Sequence, residues 1–265
     1  MTKRIVVTGA NGRMGQEVVR TIAKNDDLEL VGAVDIINIG DDINSLLGLE
    51  ASVVEINDDL AQTLDSKPVD VVVDFTNPQI VMDNIKVAIE KEVDIVVGAT
   101  GITEVDLVKI KEWNHKSASK VVIVPNFAIG AILMMQFAKK AAKFMNNVEI
   151  IELHHDKKLD APSGTAIKTA ELINQNLSNK EKKVDEIEKI KGARGGEKEG
   201  VNIHSVRLPG LVAHQEVLFG GVGQTLSIRH DSINRESFMP GVELAIRSLD
   251  EIEGVVYGLE NLIEL

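Results

Sequence analysis

Gly9-Ala10-Asn11-Gly12-Arg13-Met14-Gly15 carries the strongest fold signal in the chain, because it places a Gly-x-x-Gly-x-x-Gly loop directly after a β-branched run. A strand is predicted at Arg4–Thr8 before this loop, and a helix at Arg13–Lys24 after it. Small residues let the backbone approach a pyrophosphate, and the free N–H groups of a helix N-terminus attract its charge. The pattern predicts a dinucleotide-binding βαβ unit, with a plain strand-to-helix turn as the alternative.

Asp35 follows the second predicted strand, Glu29–Val34, at the position where a carboxylate meets the adenosine ribose hydroxyls in such folds. A strand-end Asp is also a common turn residue, and that alternative stays open. A carboxylate here repels a 2′-phosphate, and the next residue, Ile36, is not basic. The sequence therefore favours NADH, while Arg4 or Arg13 would be the cations that make NADPH possible.

Short β-branched runs alternate with amphipathic stretches through the first half of the chain, which indicates a mostly parallel sheet. Further strands are predicted at Val69–Phe75, Asp94–Gly98 and Lys120–Val124, and helices at Pro78–Glu92 and Thr103–Ser117. Ligands of such sheets bind beyond the carboxyl ends of the strands. Two loops have that position, Gly98-Ala99-Thr100-Gly101 and Pro125-Asn126-Phe127, and we expect the first at the nicotinamide ribose and the second at the nicotinamide ring. Ordinary turns are the alternative for each.

The pattern changes after Asn126. A long apolar helix is predicted at Ile129–Met145, and then strands at Val148–His154, Val201–Leu208, Gln215–Phe219 and Gln224–His230. Their hairpin-like spacing indicates an antiparallel or mixed sheet, whereas the charged stretch Asn176–Gly200 is expected to form a helix and loop outside the core. A helix at Ser237–Ser248 and a tail at Gly254–Leu265 follow.

The predicted class is therefore α/β, with a Rossmann-type parallel-sheet dinucleotide-binding domain and a second α+β domain whose sheet is mixed or antiparallel. The first domain is expected to span residues 1–126 and to be completed by residues 236–265, and the second to span residues 127–235.

Composition excludes several classes of function. The 265 residues, 44% of them hydrophobic, suffice for a sizeable core. The formal charge of −12 argues against nucleic acid or an anionic membrane as the main partner, since both are bound through basic surfaces. The absence of cysteine excludes disulfides and thiolate chemistry. No stretch resembles a signal peptide or reaches the roughly 18 apolar residues that span a bilayer, so a cytoplasmic location is expected.

The segment Glu152-Leu153-His154-His155-Asp156-Lys157-Lys158-Leu159-Asp160-Ala161-Pro162-Ser163-Gly164-Thr165 concentrates groups that suit an anionic ligand. Ser163 is a plausible N-cap of a helix over residues 165–176, which would leave the N–H groups of Gly164 and Thr165 facing an anion. His155 and Lys158 add positive charge, and His154 exchanges a proton near neutral pH.

Successive residues of a strand face opposite sides, so the two histidines need different roles. A purely structural pair is the alternative, and a lysine such as Lys158 is by default a surface residue. Spacing indicates no third zinc ligand, so no metal site is predicted. A small dicarboxylate with proton transfer nearby is the ligand that this segment favours.

At these residues the sequence resembles the dihydrodipicolinate reductases, over nearly the full chain. The motifs that carry the resemblance are Gly9–Gly15, Asp74-Phe75-Thr76 with Pro78, Gly98–Gly101, Asn126-Phe127, Glu152–Ala166 and Arg207–Phe219.

The resemblance implies reduction of a cyclic imine dicarboxylate, formed from 4-hydroxy-tetrahydrodipicolinate, by a nicotinamide cofactor in the diaminopimelate route of lysine biosynthesis. It implies that His154 is the proton donor or acceptor, that Lys158 is a second proton donor, and that the second domain builds a homotetramer. The residues implied to bind substrate are His155, Lys158, Ser163, Gly164 and Thr165. The residues implied to bind cofactor are Gly9, Ala10, Asn11, Gly12, Arg13, Met14, Asp35, Gly98, Ala99, Thr100, Val124, Pro125, Asn126, Phe127 and Arg235. Ile36 departs from the family, which often has a basic residue there, and Ala99 replaces a hydroxylated one.

Two other classes of protein share parts of this pattern. Another two-domain nicotinamide oxidoreductase would carry a catalytic Cys or a Lys-Pro pair, but the chain has no Cys and only Lys67-Pro68 in a predicted loop. A nonenzymatic dinucleotide-sensing module would need a DNA-binding or partner surface, and the acidic balance indicates none.

Overall fold

A computed structural model describes residues 2–178 and 187–264 of the chain. The chain divides into two compact units, one of residues Met1–Phe127 with Phe238–Leu265 and the other of residues Ala128–Ser237. In the described residues, no helix combines the length and the apolar character needed to cross a membrane.

The first unit is built on a parallel sheet, to which the described residues contribute seven strands in the order β12-β6-β5-β4-β1-β2-β3. These strands are β1 Lys3–Thr8, β2 Leu28–Val34, β3 Ile56–Asn57, β4 Val71–Asp74, β5 Asp94–Val97, β6 Val121–Ile123 and β12 Val255–Tyr257. The helices of this unit are α1 Arg13–Ile22, α2 Ile43–Leu46, α3 Leu60–Ser66, α4 Val81–Glu90, α5 Glu104–Asn114 and α8 Met239–Ser248. Val6, Val72 and Ile95 are fully buried, which explains why the central strands have continuous apolar runs.

The strand order reverses at β1. The chain leaves β1 for β2 and β3 on one side and then returns to β4 on the other side. Ligands of open parallel sheets bind at such a switch point, outside the carboxyl ends of the strands. The glycine loop begins there, since Gly9 directly follows β1.

The second unit is a mixed sheet with the order β11-β10-β7-β9-β8. Its strands are β7 Asn147–His154, β8 Gly196–Lys198, β9 Val201–Arg207, β10 Ala213–Gly221 and β11 Gln224–Ser232, and its helices are α6 Ile129–Ala141 and α7 Gly164–Asn174. The central strand β7 pairs parallel with β9 and antiparallel with β10. Ile150, Ile203 and Phe219 form the buried side of this sheet. The predicted α/β class with a second mixed or antiparallel sheet is confirmed.

Several short elements were not predicted, namely α2, β3, α3, β8 and β12. The predicted tail Gly254–Leu265 contains β12, which pairs parallel with β6. Within Asn176–Gly200, expected to be helix and loop, the structure places β8, while residues 179–186 lie outside the described residues. The predicted helix at Pro78–Glu92 begins only at Val81, because the residues after Asn77 form a turn whose amides bond to the Asn77 carbonyl.

Candidate active site

Glu152 and His154 lie two residues apart at the end of β7, so their side chains project from the same face of the sheet. The Glu152 carboxylate is fully buried, and its Oε2 lies 2.5 Å from Nδ1 of His154. Arg207, at the end of β9, donates from Nη1 and Nη2 to the two oxygens of this carboxylate, each over 2.8 Å. A buried carboxylate requires such partners, and a bidentate guanidinium is the strongest of them.

These neighbours shift the pKa of both groups. Burial opposes ionisation of Glu152, but hydrogen bonds from Arg207, Ser205 and His154 outweigh it and hold the pKa of this carboxyl below its usual value. Burial lowers the pKa of His154 below its usual value, and the hydrogen bond to Glu152 offsets this only in part; the charges of Lys158 and Arg207 lower it further. Burial and the two cations thus favour the neutral form of the His154 imidazole.

The turn after β7 holds the other predicted groups. Lys158 Nζ donates to both carboxylate oxygens of Asp160, over 2.8 and 2.9 Å. Arg207 Nη2 donates to the backbone carbonyl of Asp160 over 2.8 Å, so the same guanidinium binds Glu152 and fixes this turn. The His155 side chain is exposed, and its carbonyl accepts from the backbone N–H of Lys158. His154 and His155 thus differ in environment, because His154 ends β7 and His155 begins the turn that follows it.

Helix α7 begins where this turn ends. Ser163 is its N-cap, with Oγ accepting from the N–H of Ala166 over 3.2 Å. The Ser163 backbone N–H donates to Glu152 Oε1 over 3.3 Å, which ties the helix start to the buried carboxylate. The first-turn amides of Gly164 and Thr165 have no intrahelical acceptor, and a Cβ on Gly164 would meet no atom within 4 Å. There is room for an anion at this positive helix end.

The glycine loop of the first unit is packed too closely for larger residues. Gly9 has a φ of +71°, and a Cβ on it would lie 2.6 Å from the Phe75 carbonyl oxygen. A Cβ on Gly15 would lie only 2.1 Å from the carbonyl oxygen of Gly9. The first turn of α1 therefore lies directly against the end of β1. Ala10, which lies between the two elements along the chain, is fully buried.

The N-terminus of α1 is left uncapped. Its N-cap, Gly12, supplies no side-chain hydrogen bond, and its first turn holds no acidic residue, in the described structure. Helix α5, in contrast, has a complete capping box and two acidic residues in its first turn. As first-turn amides, the N–H groups of Arg13 and Met14 have no acceptor within their own helix, which is the condition that an anion site at a helix N-terminus requires.

Asp35 lies beside this loop. Its Oδ2 accepts from the N–H of Asn11 over 2.8 Å and its Oδ1 from the N–H of Ile37 over 3.1 Å. Asn11 Nδ2 also donates to the Ile37 carbonyl over 2.6 Å. Arg4 lies at the opposite end of β1 and is paired with Asp70, so of the two arginines named above only Arg13 is at the loop.

The loops after β5 and β6 meet at two aromatic rings. Phe75 and Phe127 have ring centroids 5.4 Å apart, and a Cβ on Gly98 would lie 2.3 and 2.8 Å from them, respectively. Ala99 and Val124 are buried, Asn126 is half-buried, and Thr100 and Pro125 are exposed at this edge. The loops thus lie at the carboxyl edge of the sheet, on the β4 side of the glycine loop.

Arg235 is exposed at the start of the 3₁₀ helix Arg235–Phe238. In the described part of the chain, no three His, Asp or Glu side chains are grouped as metal ligands. The sequence analysis did not identify two residues of this cluster. They are Glu152, which contacts His154, and Arg207, which pairs with Glu152. The spacing of Glu152 and His154 on one strand was a usable signal for the first.

Fold and site together are those of an oxidoreductase, with a Rossmann-type parallel sheet in one unit and, in the other, a histidine that contacts a buried carboxylate beside an open helix N-terminus. Family models for the dihydrodipicolinate reductase N-terminus and C-terminus match residues 3–127 and 130–263. The chain belongs to the dihydrodipicolinate reductase family.

Relatives of this family cover the chain almost completely. It is 52% identical over 262 residues to the 4-hydroxy-tetrahydrodipicolinate reductase of Halalkalibacterium halodurans, covering 98% of this chain and 99% of the relative. It is 51% identical to that of Listeria innocua, covering 98% and 100%. Among solved structures, a dipicolinate-bound dihydrodipicolinate reductase from Paenisporosarcina sp. TG-14 matches with a TM-score of 0.88 and 44% identity, covering 99% and 100%. An amine dehydrogenase from Mycobacterium smegmatis, 14% identical with a TM-score of 0.71, shares the fold alone.

Proposed function

We propose that this protein reduces 4-hydroxy-tetrahydrodipicolinate, via the dihydrodipicolinate imine, to tetrahydrodipicolinate in the diaminopimelate route of lysine biosynthesis. The observation that carries the proposal is the cluster at the end of β7, where the buried Glu152 contacts both His154 and the N-cap residue Ser163. A proton-exchanging group and an anion site are thereby fixed to one carboxylate. The relatives named above, which are reductases of this substrate, support the same reaction.

In this proposal the second unit binds the dicarboxylate. The amides of Gly164 and Thr165 and the Ser163 cap hold one carboxylate at the start of α7, where helix dipole and free N–H groups favour negative charge. Lys158 and His155 supply cations for the substrate, and Lys158 must release Asp160 in part to do so. His154 exchanges the proton that the reduced ring requires, with Lys158 as the second donor.

The first unit fits a dinucleotide. The close packing at Gly9 and Gly15 and the uncapped amides of Arg13 and Met14 are the features that a pyrophosphate site needs. The residues that would hold the cofactor are Gly9, Ala10, Asn11, Gly12, Arg13, Met14, Asp35, Gly98, Ala99, Thr100, Val124, Pro125, Asn126 and Phe127, with Arg235 carried over from the family. When bound, the reduced nicotinamide supplies the hydride.

NADH is the favoured cofactor, with NADPH possible. Asp35 presents a carboxylate where the adenosine ribose would lie, and Ile36, which is 76% exposed, adds no cation beside it. Arg4 is paired with Asp70 at the end of β1 that lies away from the glycine loop. Of Arg4 and Arg13, only Arg13 is therefore placed to bind the 2′-phosphate of NADPH. We further propose a cytoplasmic homotetramer built through the second unit, with no nucleic-acid or membrane partner.

The test is a reductase assay with freshly generated substrate, in which NADH and NADPH oxidation are followed at limiting cofactor. We expect turnover with both and a higher kcat/KM with NADH; a clear NADPH preference would overturn the cofactor assignment alone. Pyridine-2,6-dicarboxylate, a planar dianion shaped like the substrate, should compete with substrate. No turnover with either cofactor, or no inhibition by this dianion, would contradict the reaction or the anion site.

A further inference from the structure

We infer that Glu152 is a positioning residue, which accepts a hydrogen bond from Nδ1–H of His154 so that Nε2 is the nitrogen that exchanges the proton. Arg207 keeps Glu152 ionised, which is the form that can accept this hydrogen bond. The inference rests on the proposed acid–base role of His154. It deepens that role by naming which ring atom acts and which buried pair controls it.

The first step concerns which group donates. Both oxygens of Glu152 accept from Arg207, and one also receives the N–H of Ser163. A carboxylate in that position is ionised, and an ionised carboxylate can only accept. The 2.5 Å contact with His154 therefore requires the hydrogen to be on Nδ1. In the neutral imidazole, Nε2 is then an unprotonated acceptor, and in the charged form it is the donor.

The second step concerns why this pair is buried at all. A buried ion pair stabilises a fold poorly, since desolvation offsets most of the attraction. Arg207 pays an additional penalty, because its Nε is buried without a hydrogen-bond partner in the described structure. Replacing the pair by apolar side chains would fill the same space without this cost. Its presence beside the proton-exchanging group is explained if the pair sets the tautomer and the charge balance of His154.

The third step is the set of charges that face His154. Glu152 on its own strand stabilises the imidazolium, whereas Arg207 on β9 and Lys158 in the following turn oppose it. Removing Glu152 should therefore lower the pKa of His154, and removing Arg207 should raise it. The two shifts report which charges face His154, and the tautomer of the neutral ring reports whether Glu152 holds Nδ1–H.

The chain offers a matched control on the other face of β7. Glu149 accepts from Arg194 and, over 2.7 Å, from His204 Nε2, which repeats the Glu–Arg–His arrangement away from His154. Its carboxylate is partly exposed, with 32% of the side chain accessible, whereas that of Glu152 is fully buried. Glu149→Gln is therefore expected to change the signals of His204 and to leave those of His154 as they are.

The experiment is an NMR titration of the full chain labelled with ¹³C and ¹⁵N at its six histidines, with the His154 signal assigned from its loss in His154→Gln. In the wild type at high pH, the ¹⁵N shifts should show His154 as the Nδ1–H tautomer. Glu152→Gln should lower the pKa of His154 by about 1 unit or more, because an opposite charge in contact is worth roughly that. Arg207→Met should raise it, and Glu152→Asp should restore a value near the wild type.

Kinetics supply the second readout. Glu152→Gln should reduce kcat by about 10–100-fold, part of the range that general acid–base catalysis contributes, with little change in the Kd of NADH. The inference is overturned by an Nε2–H tautomer in the wild type, or by shifts of the same sign or no shift in the two variants. The wild-type tautomer needs no variant, so it decides the matter even if Glu152→Gln and Arg207→Met fail to fold. The titration also needs no substrate. A wild type without reductase activity would therefore refute the proposed function, while the tautomer and the pKa of His154 could still be measured.

Discussion

Replacing Gly15 by Ala tests the close approach of α1 to the end of β1. The added Cβ would lie 2.1 Å from the Gly9 carbonyl oxygen, which is 1.3 Å less than the 3.4 Å where ordinary contact begins. Both neighbours are backbone, so no side chain can rotate to make room. Overpacking of this kind costs about 1–3 kcal/mol, and the better helix propensity of Ala returns only about 1 kcal/mol.

The first turn of α1 must therefore move by about 1 Å, and a displacement of that size in a binding geometry lowers activity by about 100-fold. We expect the Kd of NADH, measured by fluorescence titration, to rise at least tenfold and the Tm to fall by about 2–8 °C. Gly196→Ala is the control, because a Cβ there meets nothing within 4 Å. Wild-type NADH affinity and Tm in Gly15→Ala would refute the assignment of this loop as the pyrophosphate site.

Three further outcomes are expected. His154→Gln should lower kcat by about 100-fold or more with little effect on the Kd of NADH, and loss of NADH binding instead would show that the two units have been assigned the wrong roles. Asp35→Ala should weaken the binding of NADH and reduce the ratio of kcat/KM for NADH to kcat/KM for NADPH. If this ratio is unchanged, Asp35 is a turn residue without a role in cofactor choice. The pKa of Glu152 is lowered in the folded state, so its contribution to stability is complete well above 4.5 and is lost as the pH falls through that value toward the folded pKa. Urea unfolding measured from pH 7 to 3 should show a smaller loss of stability in Glu152→Gln than in the wild type. An identical dependence of the free energy of unfolding on pH in the two proteins would contradict the lowered pKa of Glu152.

The parallel sheet could be predicted because its strands are buried on both faces and are separated by recognisable helices. Val71–Asp74, for example, is a short apolar run followed by the turn that opens α4. Strands of two or three residues, such as Ile56–Asn57 and Val255–Tyr257, are too short to show a period, and they exist because a neighbouring strand offers a free edge.

The site was predictable in part for a similar reason. Ser163, Gly164 and His154 lie in one segment, and local patterns are enough to place them. Arg207 reaches Glu152 only because β9 pairs parallel with β7, and no local pattern records that pairing. The hairpin-like spacing of the strands predicted an antiparallel or mixed sheet, and the sheet is mixed, since β7 pairs antiparallel with β10 and parallel with β9.

The strand β12 has a consequence for how the protein is made. It pairs with β6, yet it leaves the ribosome only after the whole second unit has been synthesised, roughly 7–26 seconds later at about 5–20 residues per second. During that interval β6 presents an unpaired edge, the kind of surface on which nascent chains associate. The parallel sheet therefore cannot finish folding in the order of its synthesis, because its edge at β6 stays open until β12 emerges after the second unit.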